Sequence, residues 1–199
     1  ANSVFENISV KNADVTGSGV YVSTFVGRKY GGKISNVFVQ GSLHVTSTEN
    51  GGLVGALQQN GTIVENVITD VSVDKPRNTY NNLANSVFNA STIGNIYNTP
   101  VVKNSIAFGN MTGYVATDGT KFIPYKFTGA IELQVLATLN NCYEVLEETG
   151  SSRVSDNTQG KLNSISKNNL NAQFYKNLGF DETLWNLDNI SAKGYPILR

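Results

Sequence analysis

Few residues in this chain are equipped for chemistry. Among 199 residues there is one histidine, His44, one cysteine, Cys142, and 15 acidic side chains. Zinc hydrolysis through H-E-x-x-H needs two histidines one helical turn apart. The chain has a single one, inside the alternating stretch "GSLHV", and His44 is read as a strand residue. A nucleophilic triad would need His44 as base to Cys142 or a serine, and no G-x-S-x-G places such a nucleophile. Cys142 lies in the strand-like run from Leu139 to Val145, which reads as a buried thiol rather than a reactive one. A lone cysteine forms no intramolecular disulfide, so cysteine usage leaves the redox compartment open. Carboxylates acting on acidic polysaccharides are the remaining catalytic class. Asp70, Asp74 and Lys75 gather near one turn and Asp156 lies in a later loop. The acidic residues show no recurrent outward register, and they are read as solvated turns.

The stretch "GGLVGALQQNGTIVENV" (51–67) looks at first like a phosphate cradle. A P-loop requires Gly-x-x-x-x-Gly-Lys-Ser/Thr running into a helix. Here Gly61 is followed by Thr62 with no lysine, and a strand pattern comes next. The glycines therefore belong to something else.

They belong to a repeat. "KISNVFVQGSLHV" (33–45) matches "TIVENVITDVSV" (62–73), with Asn36-Val37 on Asn66-Val67. Weaker copies place Asn7, Asn104 and Asn141 on the same beat, at intervals of 29, 30, 38 and 37 residues. A second beat precedes the first: "TFVG", "GLVG", "STIG" and "KFTG" end on Gly27, Gly55, Gly94 and Gly129. After each asparagine the apolar residues alternate, as in Val37 and Val39 or Val71 and Val73, which is the period of a half-buried strand. Three short strands and three turns per repeat predict one rung of a parallel β-solenoid. The recurrent asparagines are expected to stack as an interior ladder at a bend, amide to amide. Each glycine is expected to supply either a positive φ corner or a close backbone approach.

Between the repeats, residues 74–91, 116–126 and 147–161 read as long loops, where function concentrates when rungs are regular. Arg77, Tyr80 and Phe88 are the candidate contact residues of the first; the alternative for that polar, Asn-rich run is disorder. "SKNNLNAQFYKNLGF" (166–180) spaces Leu170, Phe174 and Leu178 for a short amphipathic helix, with Ser166 at the N-cap and Gly179 at C′. Trp185 and the ending Tyr195-Pro196-Ile197-Leu198 add an aromatic plug. Together they are expected to close the exposed last rung. The fold class is thus all-β: a right-handed parallel β-helix with long loops and a short C-terminal α-helical cap, residues 1–165 forming the solenoid and 166–199 a cap on the same domain. The hand follows the general preference of parallel crossovers.

Charge and composition narrow the partners. Fifteen basic residues balance fifteen acidic ones, which leaves no electrostatic footprint for nucleic acid or an anionic membrane. No run of 18 apolar residues and no charged-then-apolar leader occurs, and the chain opens mid-pattern at Ala1-Asn2-Ser3-Val4, as a piece of something larger would. Sequons at Asn7, Asn60, Asn89, Asn110 and Asn189 arise by composition in so Asn/Ser/Thr-rich a repeat.

"GGLVGALQQNG" and "KISNVFVQGSLHV" resemble the Gly-Leu-Val-Gly (GLUG) repeats of bacterial surface proteins. "NADVTG", "GGKISNVFVQGS", "NNCYEVLEE" and "KGYPILR" more closely resemble the non-catalytic region of streptococcal zinc metalloproteases of the immunoglobulin A1 protease type. The likeness is well marked over 1–73 and 139–199 and thin over 74–135. It implies an extracellular protein at the cell wall whose zinc and H-E-x-x-H chemistry sit in a separate protease domain, with no cofactor in this fragment. It implies as partners that adjacent domain and host immunoglobulin A1, the fragment itself being a monomer. The competing class is an adhesin in which the same repeats form a stalk or bind host ligand without proteolysis.

Overall fold

The computed structural model describes residues 2–47, 49–74, 89–110, 114–115, 121–123, 126–131, 138–146, 152–153 and 162–199. The fold is mostly β, with parallel sheets and one short α-helix. In chain order the strands are β1 (Val4–Gly17), β2 (Val26–Lys29), β3 (Lys33–Val45), β4 (Asn50–Gly51), β5 (Val54–Gln58), β6 (Ile63–Asp74), β7 (Asn89–Ala90), β8 (Ile93–Tyr97) and β9 (Val101–Ala107). There follow β10 (Tyr114–Val115), β11 (Lys121–Ile123), β12 (Thr128–Ile131), β13 (Thr138–Leu146), β14 (Ser152–Arg153) and β15 (Leu162–Ser166). The C-terminal part holds α1 (Ala172–Asn177), β16 (Trp185–Asn186) and β17 (Ile197–Leu198).

Two parallel sheets organise the chain. Long strands stack in the order β1-β3-β6-β9-β13-β15, and short ones in the order β2-β5-β8-β12. After β1, β3 and β6 the chain makes a brief third contact before the next short strand, Ser23 on Gly51 and then β4 on β7. The three kinds of segment are unequal: β3 has 13 residues, β4 two and β5 five. Within the expected loops at 116–126 and 147–161, Lys121–Ile123 and Ser152–Arg153 are strand, β11 pairing antiparallel with β10 and parallel with β14, and the other positions except Lys126 lie outside the described residues.

The long strands carry apolar residues on both faces. Ile34, Val37, Val39, Leu43 and Val45 of β3 face an inner cluster with Val64, Val67, Val71, Leu53 and Ile93. Phe38, Ile68 and Ile106, one from each of β3, β6 and β9, face outward into a second cluster. There they meet Leu170, Tyr175, Phe180, Trp185, Tyr195 and Leu198 of the C-terminal segment. That segment lies along the outer face of the long sheet rather than over its last rung: Lys193 and Tyr195 bond to Asp70 of β6, and Asn66 of β6 donates to the carbonyl of Gly179. The reason is the second apolar face, which needs covering along its whole width.

The expected helix is also shorter. Lys167–Asn169 form a 3₁₀ turn, and α1 starts at an Asn171 cap whose side-chain oxygen accepts from the Phe174 N–H at 3.0 Å. Ser166 precedes the 3₁₀ turn without a side-chain cap bond. Gly179 follows the C-cap Leu178 at φ +85°, the left-handed stop that glycine permits.

Candidate functional site

The repeat residues fall into rows across the sheets. Asn7, Asn36, Asn66, Asn104 and Asn141 all have left-handed backbones, with φ between 51° and 59°. Each is skipped in the strand pairing: Glu6 pairs Ser35 and Ile8 pairs Val37, and the same gap recurs in the next pairs. Asparagine is among the few residues other than glycine that tolerate this conformation. The extra residue resets the alternation, so that Ile34 and Val37, three apart, face the same core. Asn66 Nδ2 donates to Asn36 Oδ1 at 3.4 Å, and Asn141 Nδ2 to Asn104 Oδ1 at 3.3 Å. The row does not lie in the interior: Asn7 and Asn141 are exposed and the other three half-buried. Four of the five form two pairs, with Asn7 outside both, and Asn66 Oδ1, between the pairs, is buried without a partner.

Gly27, Gly55, Gly94 and Gly129 form the matching row on the short sheet, each flanked by paired neighbours. None of the four has a positive φ; the first three are sites of close backbone approach. A Cβ at Gly55 would lie 2.5 Å from the Gly27 carbonyl oxygen and 2.6 Å from Tyr21 Cα, and one at Gly94 would lie 2.6 Å from Asn50 N. The corners that press on these glycines are Tyr21 and Glu49, themselves at φ 66° and 61°.

Several titratable groups pair across strands or with the backbone. Glu65 Oε1 takes Lys33 at 2.7 Å and its Oε2 takes Lys103 at 2.8 Å, while Lys33 also reaches Glu6 at 3.1 Å. Burial opposes the Glu65 charge, but hydrogen bonds from Lys103 and Lys33 outweigh it and hold the carboxyl below its usual range. Buried Lys29 donates to Ser3 O, Ser3 Oγ and Gly31 O at 2.6, 2.9 and 2.6 Å, and its burial lowers its pKa. Inside the coil, Glu144 accepts from the Lys126 N–H at 3.0 Å and from Ser164 Oγ at 3.3 Å. Cys142 is buried, and desolvation pushes its thiol up to about 12. His44 is exposed between Asp14 at 3.4 Å and Asp74 at 3.8 Å, on three adjacent strands. Among the described residues no group of three or more His, Cys, Asp and Glu is arranged to hold a metal ion, and no helix is long and apolar enough to cross a membrane. Of the acidic candidates, Asp70 is engaged by the C-terminal segment and Asp74 lies beside His44; Lys75 and Asp156 lie outside the described residues. Arg77, Tyr80 and Phe88 lie outside them as well; the strands on either side, ending at Asp74 and resuming at Asn89, narrow the excursion expected over 74–91.

One cluster escaped the sequence reading. Arg28, in mid-β2, places its guanidinium carbon 4.7 Å from the Tyr21 ring centroid and 4.8 Å from that of Tyr30. Nearby, Tyr97 O–H donates to Glu49 Oε2 at 2.5 Å. The available signal was the register: Arg28 stands where the next turns carry Ala56 and Asn95, so a charge appears in a row that is otherwise small or uncharged. No family model, curated protein or solved structure matches the chain.

Proposed function

We propose that the chain is a right-handed parallel β-solenoid serving as a non-catalytic module of a secreted, cell-wall-associated bacterial protein. The observation that carries this reading is the row of left-handed asparagines, one per turn at matching register. A residue type chosen for backbone conformation at every turn serves stacking, and among the described residues no turn concentrates acid, base and nucleophile. The resemblance of "GGKISNVFVQGS", "NNCYEVLEE" and "KGYPILR" supports a specific parent, a zinc metalloendopeptidase of the immunoglobulin A1 protease type. In that parent the module orients a separate zinc-bearing protease domain and contributes a surface that holds substrate.

The coding sequence on either side tests the parent. An H-E-x-x-H motif in frame supports it, and further repeats with a wall anchor but no zinc motif overturn it in favour of an adhesin. Surface plasmon resonance of the chain against immunoglobulin A1 tests the substrate contact separately. No binding at tens of micromolar removes that role from this module. The adhesin reading is favoured by one observation, the exposed arginine held between Tyr21 and Tyr30.

A further inference from the structure

Arg28 is an exposed cation set against two aromatic rings. Its guanidinium carbon lies over two tyrosine rings, Tyr21 and Tyr30, and an arginine carries five N–H donors of which a carboxylate engages two. Among the described residues no carboxylate pairs with it. The support is built into the turn: Tyr21 holds a left-handed backbone at φ 66°, and its carbonyl oxygen and Cα sit against Gly27 and Gly55, 2.7 and 2.6 Å from where side chains there would begin. A bulky residue in that conformation is unfavourable and persists only where its surroundings enforce it. Ring contacts on a cation narrow its conformations, which lowers the cost of binding an anion there.

The surroundings point to the anion's carrier. Lys29 pairs with Leu57, and Gln58 with Tyr97, so Tyr30, Gln58 and Tyr97 come at one level of three successive turns. Tyr30 is 44% exposed and the other two are half-buried. This row of ring, amide and ring crosses the strands at about 4.8 Å per step, whereas an extended peptide repeats every 3.3 Å or so and would fall out of step along it. A chain of pyranose rings advances close to one ring per step. Its apolar faces suit tyrosine rings, and its hydroxyls suit the Gln58 amide and the Tyr30 hydroxyl, the Tyr97 hydroxyl being taken by Glu49. We propose that Tyr21, Arg28 and Tyr30, continued by Gln58 and Tyr97, form a binding site for an acidic glycan, with a uronate carboxylate on Arg28. The proposal is independent of which parent protein carries the module.

Nuclear magnetic resonance of the ¹⁵N-labelled 199-residue chain tests it, following the Arg28 Nε–H and the backbone amides of 21–32 during titration. The probes are tetragalacturonate and a hyaluronan tetrasaccharide, with fully methyl-esterified tetragalacturonate, acetate and hexaglutamate as comparisons. Saturable shifts confined to this face, lost with the ester and weakened at least about tenfold in Arg28→Lys, are the expected result, because lysine keeps the charge but not the fork. Tyr30→Ala weakens binding while leaving the inner core intact. Absence of saturable shifts with both uronate probes overturns the site. Equal affinity for acetate or hexaglutamate, or unchanged affinity in Arg28→Lys, overturns the glycan assignment.

Discussion

The left-handed asparagines make a quantitative demand on Asn66. Its backbone sits at φ 54°, and its Nδ2 donates to Asn36 Oδ1 at 3.4 Å and to Gly179 O at 3.2 Å. A residue with an ordinary Cβ pays roughly 1–2 kcal/mol to hold that conformation. The two bonds, both long and partly exposed, contribute together about 1 kcal/mol, at the low end of the usual range. Asn66→Val therefore loses both terms, about 2–3 kcal/mol, whereas Asn66→Gly keeps the backbone and loses about 1 kcal/mol. Urea denaturation measures the difference as separated midpoints at equal slope. Leucine alone would not discriminate, because an interior amide ladder also predicts a loss on that scale. Glycine does discriminate: an interior ladder makes glycine as damaging as valine. Equal midpoints for the two variants would refute the conformational account of the row.

Other expected outcomes follow from the same geometry. Gly55→Ala places a Cβ 2.5 Å from the Gly27 carbonyl and destabilises by more than about 2 kcal/mol or prevents folding, while Gly19→Ala meets nothing within 4 Å and shifts the thermal midpoint little. Trp185→Ala, at a fully buried side chain, costs on the order of 3–5 kcal/mol and opens residues 167–199 to limited proteolysis before the strands are cut. Cys142 resists iodoacetamide in the native chain and reacts in urea. Since folding raises its pKa, its stabilising contribution is intact below about pH 8.5, the free-thiol value, and is lost as pH climbs toward 12. Glu65 has the opposite sign: folding lowers its pKa, so its contribution is present above about pH 4.3 and fades as pH falls through the folded value. Because Glu65 is partly exposed, Glu65→Gln costs about 1 kcal/mol or less at pH 7, by thermal denaturation, and nothing measurable at pH 2.

How much of this was legible in the sequence differs between the two sides of the long sheet. Val37, Val39, Leu43 and Val45 alternate, and Asn36 and Asn66 keep their beat, so parallel strands repeated at fixed intervals could be read directly. The left-handed conformation of those asparagines was legible in principle from their type, because asparagine favours it, but the same residues also suit a stacked amide row, and residue type alone does not choose between the two. The Gly27 and Gly55 positions were open between positive φ and close approach for a similar reason: what presses on them is Tyr21, whose position depends on the corner of the turn before. Arg28 was invisible because its partners, Tyr21 and Tyr30, meet it only once that corner folds back.

The outer cluster shows where a periodic reading stops short. Alternation was counted from the valines, yet the residue between Val37 and Val39 is Phe38, and its counterparts Ile68 and Ile106 are apolar too. A strand apolar at both parities has two faces to bury, and parallel strands covered on both sides show this pattern. The short strands and bridges cover only the inner face of the long sheet. The outer one therefore calls for a separate element, and the aromatic tail from Tyr175 to Leu198 is the part of the chain with apolar residues to spare. Its position along the sheet follows from that imbalance. Trp185 lies at the join, its indole N–H directed at Asn36 Oδ1 at 3.5 Å while its ring packs on Phe180. The asparagine row thus does two jobs, bending each long strand and offering amide groups to the segment that covers it, which is why its middle members are the half-buried ones.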